Sequence, residues 1–154
     1  FRLGNGNYSS EFFRIMANGI ESIQAPPRRT WVEGDLCYVI VGCFFWVYNA
    51  LGYGFLESIY AKALEVALRL EGLKVEREVP VTIFFEGVDV GEHRMDMVVE
   101  DRIVIEIKAT EKLSDVPKRQ LRNYLCAMDL ELGILLHFGP TASYHRVLRK
   151  KKDE

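Results

Sequence analysis

Apolar and polar positions divide the chain into segments of different period. Leu36–Leu51, LCYVIVGCFFWVYNAL, is apolar nearly all round, the pattern of a helix that is either wholly buried or covers a partner. Asp35 stands where an N-cap belongs. GYGFLESIYAKALEVALRLEGLKV breaks at Gly52 and Gly54 and then predicts a second helix, ending at Gly72 as its C-cap. The period then drops to two. LKVEREVPVTIFFEGVDVGEHRMDMVVEDRIVIEIKA alternates and is rich in Val and Ile, with turn signals at Glu86-Gly87, Gly91 and Glu100-Asp101. It predicts three or four strands in a hairpin series. LSDVPKRQLRNYLCAMDL returns to helix, with Ser114 or Asp115 as cap and Pro117 in the first turn. LGILLHFG and YHRVLRK read as two final strands. The order describes an α/β sheet layered with helices.

Strand alternation sorts the central hairpin into faces. Ile103, Ile105 and Ile107 share a core face, while Val104, Glu106 and Lys108 share the other; on the preceding strand Met95, Met97 and Val99 oppose Arg94, Asp96 and Val98. A two-residue turn at Glu100-Asp101 would set apolar against polar positions across the hairpin. A three-residue turn, Glu100-Asp101-Arg102, or an equivalent bulge removes that conflict. It sets Met97 across from Ile105 and Asp96 across from Glu106. Directly opposed Cβ atoms lie about 4.5–5.5 Å apart, a spacing that one divalent cation bridges. Two opposed carboxylates need a positive neighbour, for which Lys108 or a metal ion serves. The competing reading is an ordinary solvent-facing hairpin with Glu and Lys at i, i+2.

The length of 154 residues suits one domain. Residues 1–33, which include APPRRTW of linker composition, read as an N-terminal appendage, 34–150 as the domain, and 151–154 as a charged tail. The net charge of −2 gives no global basic field, so nucleic-acid contact has to use local patches. Cys37, Cys43 and Cys126 are widely spaced, without C-x-x-C or a histidine at ligand spacing, which disfavours a disulfide framework or structural zinc. A reducing cytoplasm is the simplest expectation. No secretory signal is evident, and the sequon Asn7-Tyr8-Ser9 is read as chance. At sixteen residues, Leu36–Leu51 falls short of the roughly 20 that span a bilayer, so a buried helix is favoured over a membrane segment.

Two further segments join the hairpin. GFLESIY, Gly54–Tyr60, has the form G-x-x-E-x-x-Y; with Asp96 and the Glu-x-Lys of Glu106 and Lys108 it resembles the GxxExxY family, a branch of the PD-(D/E)xK nuclease-like superfamily. QLRNY, Gln120–Tyr124, resembles the Q-x-x-x-Y helix motif of RecB-like and lambda-exonuclease-like members. The four motifs occur in the expected order, and the similarity covers roughly Asp35–Phe138. It implies a restriction-endonuclease-like fold, a mixed β-sheet core flanked by helices, with one or two Mg²⁺ or Mn²⁺ ions. By resemblance Asp96 and Glu106 are direct metal ligands and Glu57 a helix carboxylate near the metal. Lys108 orients water and stabilises charge, and Gln120 and Tyr124 border the site.

Hard oxygen ligands suit Mg²⁺, and a metal-activated water can attack a phosphodiester. Lys118, Arg119 and Arg122, on or beside the Gln120 helix, are candidates for the phosphate backbone; a solvated helix face is the alternative reading. Trp46 and Tyr48 stand where relatives commonly carry a mixed polar face with Glu and His, which leaves Leu36–Leu51 as a candidate homodimer interface. Residues 1–33 have no counterpart in the pattern. The expected function is a metal-dependent nuclease, with DNA favoured by family analogy alone. The alternatives are a non-catalytic nucleic-acid-binding or protein-interaction module on the same fold, and a subunit active only in a complex.

Overall fold

The computed structural model describes residues 34–150; the expected appendage (1–33) and tail (151–154) lie outside the described residues. Helices α1 (Gly34–Leu51) and α2 (Glu57–Leu70) lead into strands β1 (Val75–Phe85), β2 (Val88–Val99) and β3 (Ile103–Lys108). Helix α3 (Val116–Met128) then precedes β4 (Leu132–Phe138) and β5 (Ala142–Leu148). The five strands lie in sequence order in one mixed sheet, parallel only between β3 and β4. This parallel step follows from the crossover through α3. Helices α1 and α2 cover one face and α3 the other, giving two apolar clusters separated by the sheet.

The boundaries have local causes. Gly72 adopts φ +81°, and the N–H groups of Gly72 and Leu73 donate to the carbonyls of Arg69 and Leu68, which closes α2 in a Schellman motif. Asp115 is the N-cap residue of α3 and Pro117 lies in its first turn, while the Ser114 hydroxyl accepts from Val116 N–H at 3.4 Å. Glu86 and Gly87 both adopt left-handed angles, as a two-residue type I′ hairpin turn demands. Gly91 is not a turn. It lies at a register shift between β1 and β2, a bulge that lets one long strand continue, so the hairpin series contains three strands. Asp35 falls inside the first turn of α1, because the helix already runs at Gly34.

Helix α1 spends its apolar surface inside the chain. Leu36, Cys37, Ile40, Cys43, Phe44, Phe45 and Val47 are buried in the first cluster. By length and composition this helix could also cross a membrane; in the fold one face packs against the sheet, while Tyr38 and Leu51 stay exposed. Tyr48 donates its hydroxyl to the carbonyls of Gly139 and Pro140, at 2.8 and 2.9 Å, which ties α1 to the β4–β5 turn.

The central hairpin pairs Val99 with Ile103, Val98 with Val104 and Met97 with Ile105, so Glu100, Asp101 and Arg102 form the three-residue turn required by the apolar pattern. Lys74 stabilises this turn: its N–H donates to Glu100 Oε1 at 2.6 Å and its ammonium lies 2.8 Å from Asp101. One facial expectation fails. Met97 and Val99 pack in the first cluster, whereas Met95 packs in the second, against α3. The cause lies in β1 across from Asp96, where Glu78 adopts φ +52°. A left-handed residue breaks the two-residue alternation. Before it Arg77 reaches Glu65 on the α2 side, and after it Val79 and Val81 join the α3-side cluster. Both strands change faces at this point.

Candidate active site

Asp96 lies at that reversal, one residue beyond the last β2–β3 pair. Its Oδ2 accepts from Ile107 N–H at 2.6 Å, so a side chain occupies a ladder position where the two strands part. Two residues along the same strand edge, Ala109 N–H donates to Glu57 Oε1 at 3.3 Å. The outward N–H of Ile107 in β3 and that of Ala109 just past its end thus each bind a carboxylate, one from β2 and one from the first turn of α2. The helix N-terminus favours an acid at Glu57.

Glu106 projects from β3 between these acids and Lys108. Its side chain is 13% exposed, and Lys108 Nζ lies 3.4 Å from its Oε1. Its Oε2 is buried without a hydrogen-bond partner. Burial first, and the Asp96 carboxylate second, push Glu106 up to about 7, against the opposing pull of Lys108. Asp96 is also raised, mainly by burial, although the Ile107 N–H and Lys108 favour its charged form. An orphaned buried oxygen beside a second strained carboxylate marks a place for a cation. Oxygen donors from Asp96, Glu106 and Glu57 fit a hard divalent ion such as Mg²⁺ or Mn²⁺. Among the described residues no three His, Cys, Asp or Glu side chains are already drawn to metal-binding distance, so ligation requires side-chain adjustment.

The G-x-x-E-x-x-Y stretch has a physical logic. Gly54 takes φ +115°, with open space around it, so glycine serves the backbone conformation there. Glu57 reaches the β3 edge. The fully buried Tyr60 accepts from Phe55 N–H at 3.2 Å, donates to the Gly52 carbonyl, and stacks on Phe138 with centroids 4.2 Å apart. The tyrosine therefore fixes the loop that delivers the glutamate. A cleft of about 580 Å³ opens here, lined by Phe55, Leu56, Glu57, Arg77, Asp96 and Ala109 among others.

The remaining expected residues lie on α3. Tyr124 packs flat on His93 of β2, with centroids 4.2 Å apart and 7° between planes, and Gln120 is exposed. Lys118 is half-buried, 3.6 Å from Asp115; Arg119 is exposed and Arg122 partly so. Among the described residues, no hydrogen bond or ion pair joins Gln120, Tyr124, Lys118, Arg119 or Arg122 to the three acids. Asp96, Glu57 and the Glu106–Lys108 pair thus gather around the end of β3, while α3 packs on the sheet face of Val104, the face that Glu106 and Lys108 share by strand alternation.

Two residues escaped the sequence reading. Arg77 donates to the Asp96 carbonyl at 3.2 Å and pairs with Glu65. His137, opposite Lys108 in the parallel β3–β4 pair, is 5% exposed and holds the Thr110 carbonyl at 2.7 Å through Nε2. Its ring rests on Gly139, where a Cβ would fall 2.4 Å from Cε1. Nothing local marks either residue, because both roles depend on pairing between distant strands.

Residues 34–150 match the family model described as the PD-(D/E)XK nuclease superfamily. No curated protein matches the sequence. Among solved structures, the crystal structure of SSO0001 aligns with a TM-score of 0.48 and 24% identity, covering 73% of this chain and 57% of that one. The chain therefore spans a little over half the length of that protein.

Proposed function

The chain belongs to the PD-(D/E)XK nuclease superfamily, and on that premise we propose that it is a metal-dependent nuclease of the GxxExxY branch, hydrolysing phosphodiester bonds in nucleic acid, with DNA favoured by analogy. The observation that carries this reading is the orphaned buried Oε2 of Glu106, in a carboxylate whose other oxygen, Oε1, lies 3.4 Å from Lys108 Nζ and which feels the charge of Asp96. Support for the GxxExxY branch is that Gly54, Glu57 and Tyr60 act as one unit, shaping, supplying and fixing the acid.

Asp96, Glu106 and Glu57 would hold Mg²⁺ or Mn²⁺. When bound, the ion supplies Lewis acidity that activates water and polarises a phosphoryl oxygen. Lys108 orients the attacking water and offsets charge on the phosphoryl oxygens. Glu106 holds Lys108 in place through their ion pair. The Ile107 N–H keeps one Asp96 oxygen fixed and favours its charged form. Gln120 and Tyr124 border the substrate path, and Lys118, Arg119 and Arg122 offer phosphate contacts along α3. A homodimer through Leu36–Leu51 would use the face of that helix left outside the core, which includes the exposed Tyr38 and Leu51.

The test is cleavage of single- and double-stranded oligonucleotides with Mg²⁺ or Mn²⁺. Wild type is expected to cleave, with Asp96→Ala and Lys108→Ala slower by about 10²-fold or more. Equal residual activity in all three rejects the proposal. A non-catalytic binding module on the same fold is the second reading, favoured by the lack of a pre-assembled three-ligand cluster among the described residues. Calorimetry separates the two, because a binding module has no need to take up Mn²⁺ at Asp96 and Glu106.

A further inference from the structure

The loop entering α2 keeps large apolar side chains in water beside the acids. Phe55 is 46% and Leu56 71% exposed, and both line the cleft that contains Glu57, Arg77 and Asp96. Scattered exposed apolar residues need no explanation. Here, however, the exposure is built in: Tyr60 binds the loop at Gly52 and Phe55, and the Phe55 ring meets the Tyr60 ring edge-on at 6.1 Å. Gly52 and Gly54, both with positive φ, set the chain path on which Phe55 is presented.

The cleft thus has two unlike halves. One holds the carboxylates of Glu57, Glu78 and Asp96, suited to a cation, beside Arg77, whose guanidinium is tied to Glu65 and the Asp96 carbonyl. The other is an aromatic and aliphatic lip. A nucleotide has matching halves, an anionic phosphate that a carboxylate-held cation complements, and a base with an apolar π-face. The cleft volume of about 580 Å³ falls in the range of small-molecule sites. In a duplex the base faces are stacked on one another, so only an unpaired nucleotide offers a face to Phe55. Duplex binding rests instead on rows of basic side chains along two backbones, and among the described residues Arg77 is the sole basic residue lining this cleft.

We propose that Phe55, backed by Leu56, is a stacking platform for an unpaired nucleobase next to the phosphate being attacked, which makes single strands or frayed ends the substrate class. The inference rests on the nuclease reading of the same site, yet its test requires no cleavage. Binding is measured with Ca²⁺ in place of Mg²⁺, a cation that the same oxygen donors accept, using the full chain and a single-stranded oligonucleotide carrying the fluorescent adenine analogue aminopurine. Wild type is expected to quench the probe, and Phe55→Ala to weaken binding about 5- to 150-fold. Phe55→Trp is expected to retain binding, Leu56→Ala to lose less, and the duplex of the same sequence to bind at least about tenfold more weakly. Thermal melts check that each variant is folded, and exposure of Phe55 makes that the expected result. Unchanged affinity in Phe55→Ala, equal affinity for an abasic strand, or equal affinity for duplex overturns the proposal. The last two outcomes point to backbone binding, or to a protein occupant of the lip. Stacking without cleavage counts against the nuclease reading alone, and cleavage without stacking counts against the platform alone.

Discussion

Replacing Glu106 by glutamine removes a charge while nearly preserving shape, and the structure assigns that charge an energy. Burial and Asp96 hold the Glu106 carboxyl at about 7 in the folded chain, against an ordinary value of 4.5. The gap is about 2.5 pH units, and at about 1.36 kcal/mol per unit it amounts to about 3 kcal/mol. The sign follows from proton counting. Between pH 4.5 and 7 the folded state binds more protons than the unfolded state, so stability falls as pH rises across that window. Below about 4.5 the contribution of this group is absent, and above about 7 the full penalty is present. Glutamine cannot ionise and escapes it.

Melting curves in EDTA from pH 4.5 to 8.5 are therefore expected to converge at the acid end. At the alkaline end Glu106→Gln should be the more stable protein by up to about 3 kcal/mol, or roughly 10 °C in Tm for a domain of this size. Saturating Mn²⁺ is expected to raise wild-type Tm at pH 8, because a cation supplies the partner that Oε2 lacks, and to raise the variant little. A variant less stable than wild type at pH 8 in EDTA, or a difference independent of pH, refutes the reasoning. A gain in stability with loss of cleavage in the same variant would identify a side chain retained for its chemistry at a cost in folding energy.

Two smaller perturbations probe the supports of the site. Asp96→Asn keeps an oxygen to accept the Ile107 N–H, whereas Asp96→Ala leaves that donor unpaired; denaturant unfolding should find Ala lower than Asn by about 1–3 kcal/mol, while calorimetry finds Mn²⁺ affinity reduced in both. Gly139→Ala forces the His137 ring to move, since the new Cβ would lie 2.4 Å from it, and is expected to cost about 1–3 kcal/mol in equilibrium unfolding. Most of that cost should vanish when the same change is made in a His137→Ala background; an undiminished cost there would exclude the ring as its source.

The sequence alone determined what short-range rules govern. The apolar alternation of Met97, Val99, Ile103 and Ile105 admitted one hairpin register, which the strands keep up to Met97 and Ile105; beyond it they part, and Asp96 binds the Ile107 N–H rather than pairing with Glu106. Gly72 fixed a helix end and Glu86-Gly87 a turn, because φ angles and caps are chosen by neighbours in the chain. Tertiary structure decided the rest. The reversal of faces at Glu78 and Asp96 defeated the placement of Met95, since one left-handed residue cancels an alternation that sequence patterns assume to be continuous. Which face of α1 meets the sheet was also decided by the fold, because an all-apolar helix carries no mark of what covers it; Leu36, Cys37, Ile40, Cys43, Phe44, Phe45 and Val47 are the residues turned inward. The pairing of Glu57 with Ala109 joins positions 52 residues apart, and that of Lys108 with His137 depends on a parallel register set by helix packing. The energy of Glu106 likewise arises only in the fold, for an isolated carboxyl titrates near 4.5 until burial and a second acid lift it to about 7.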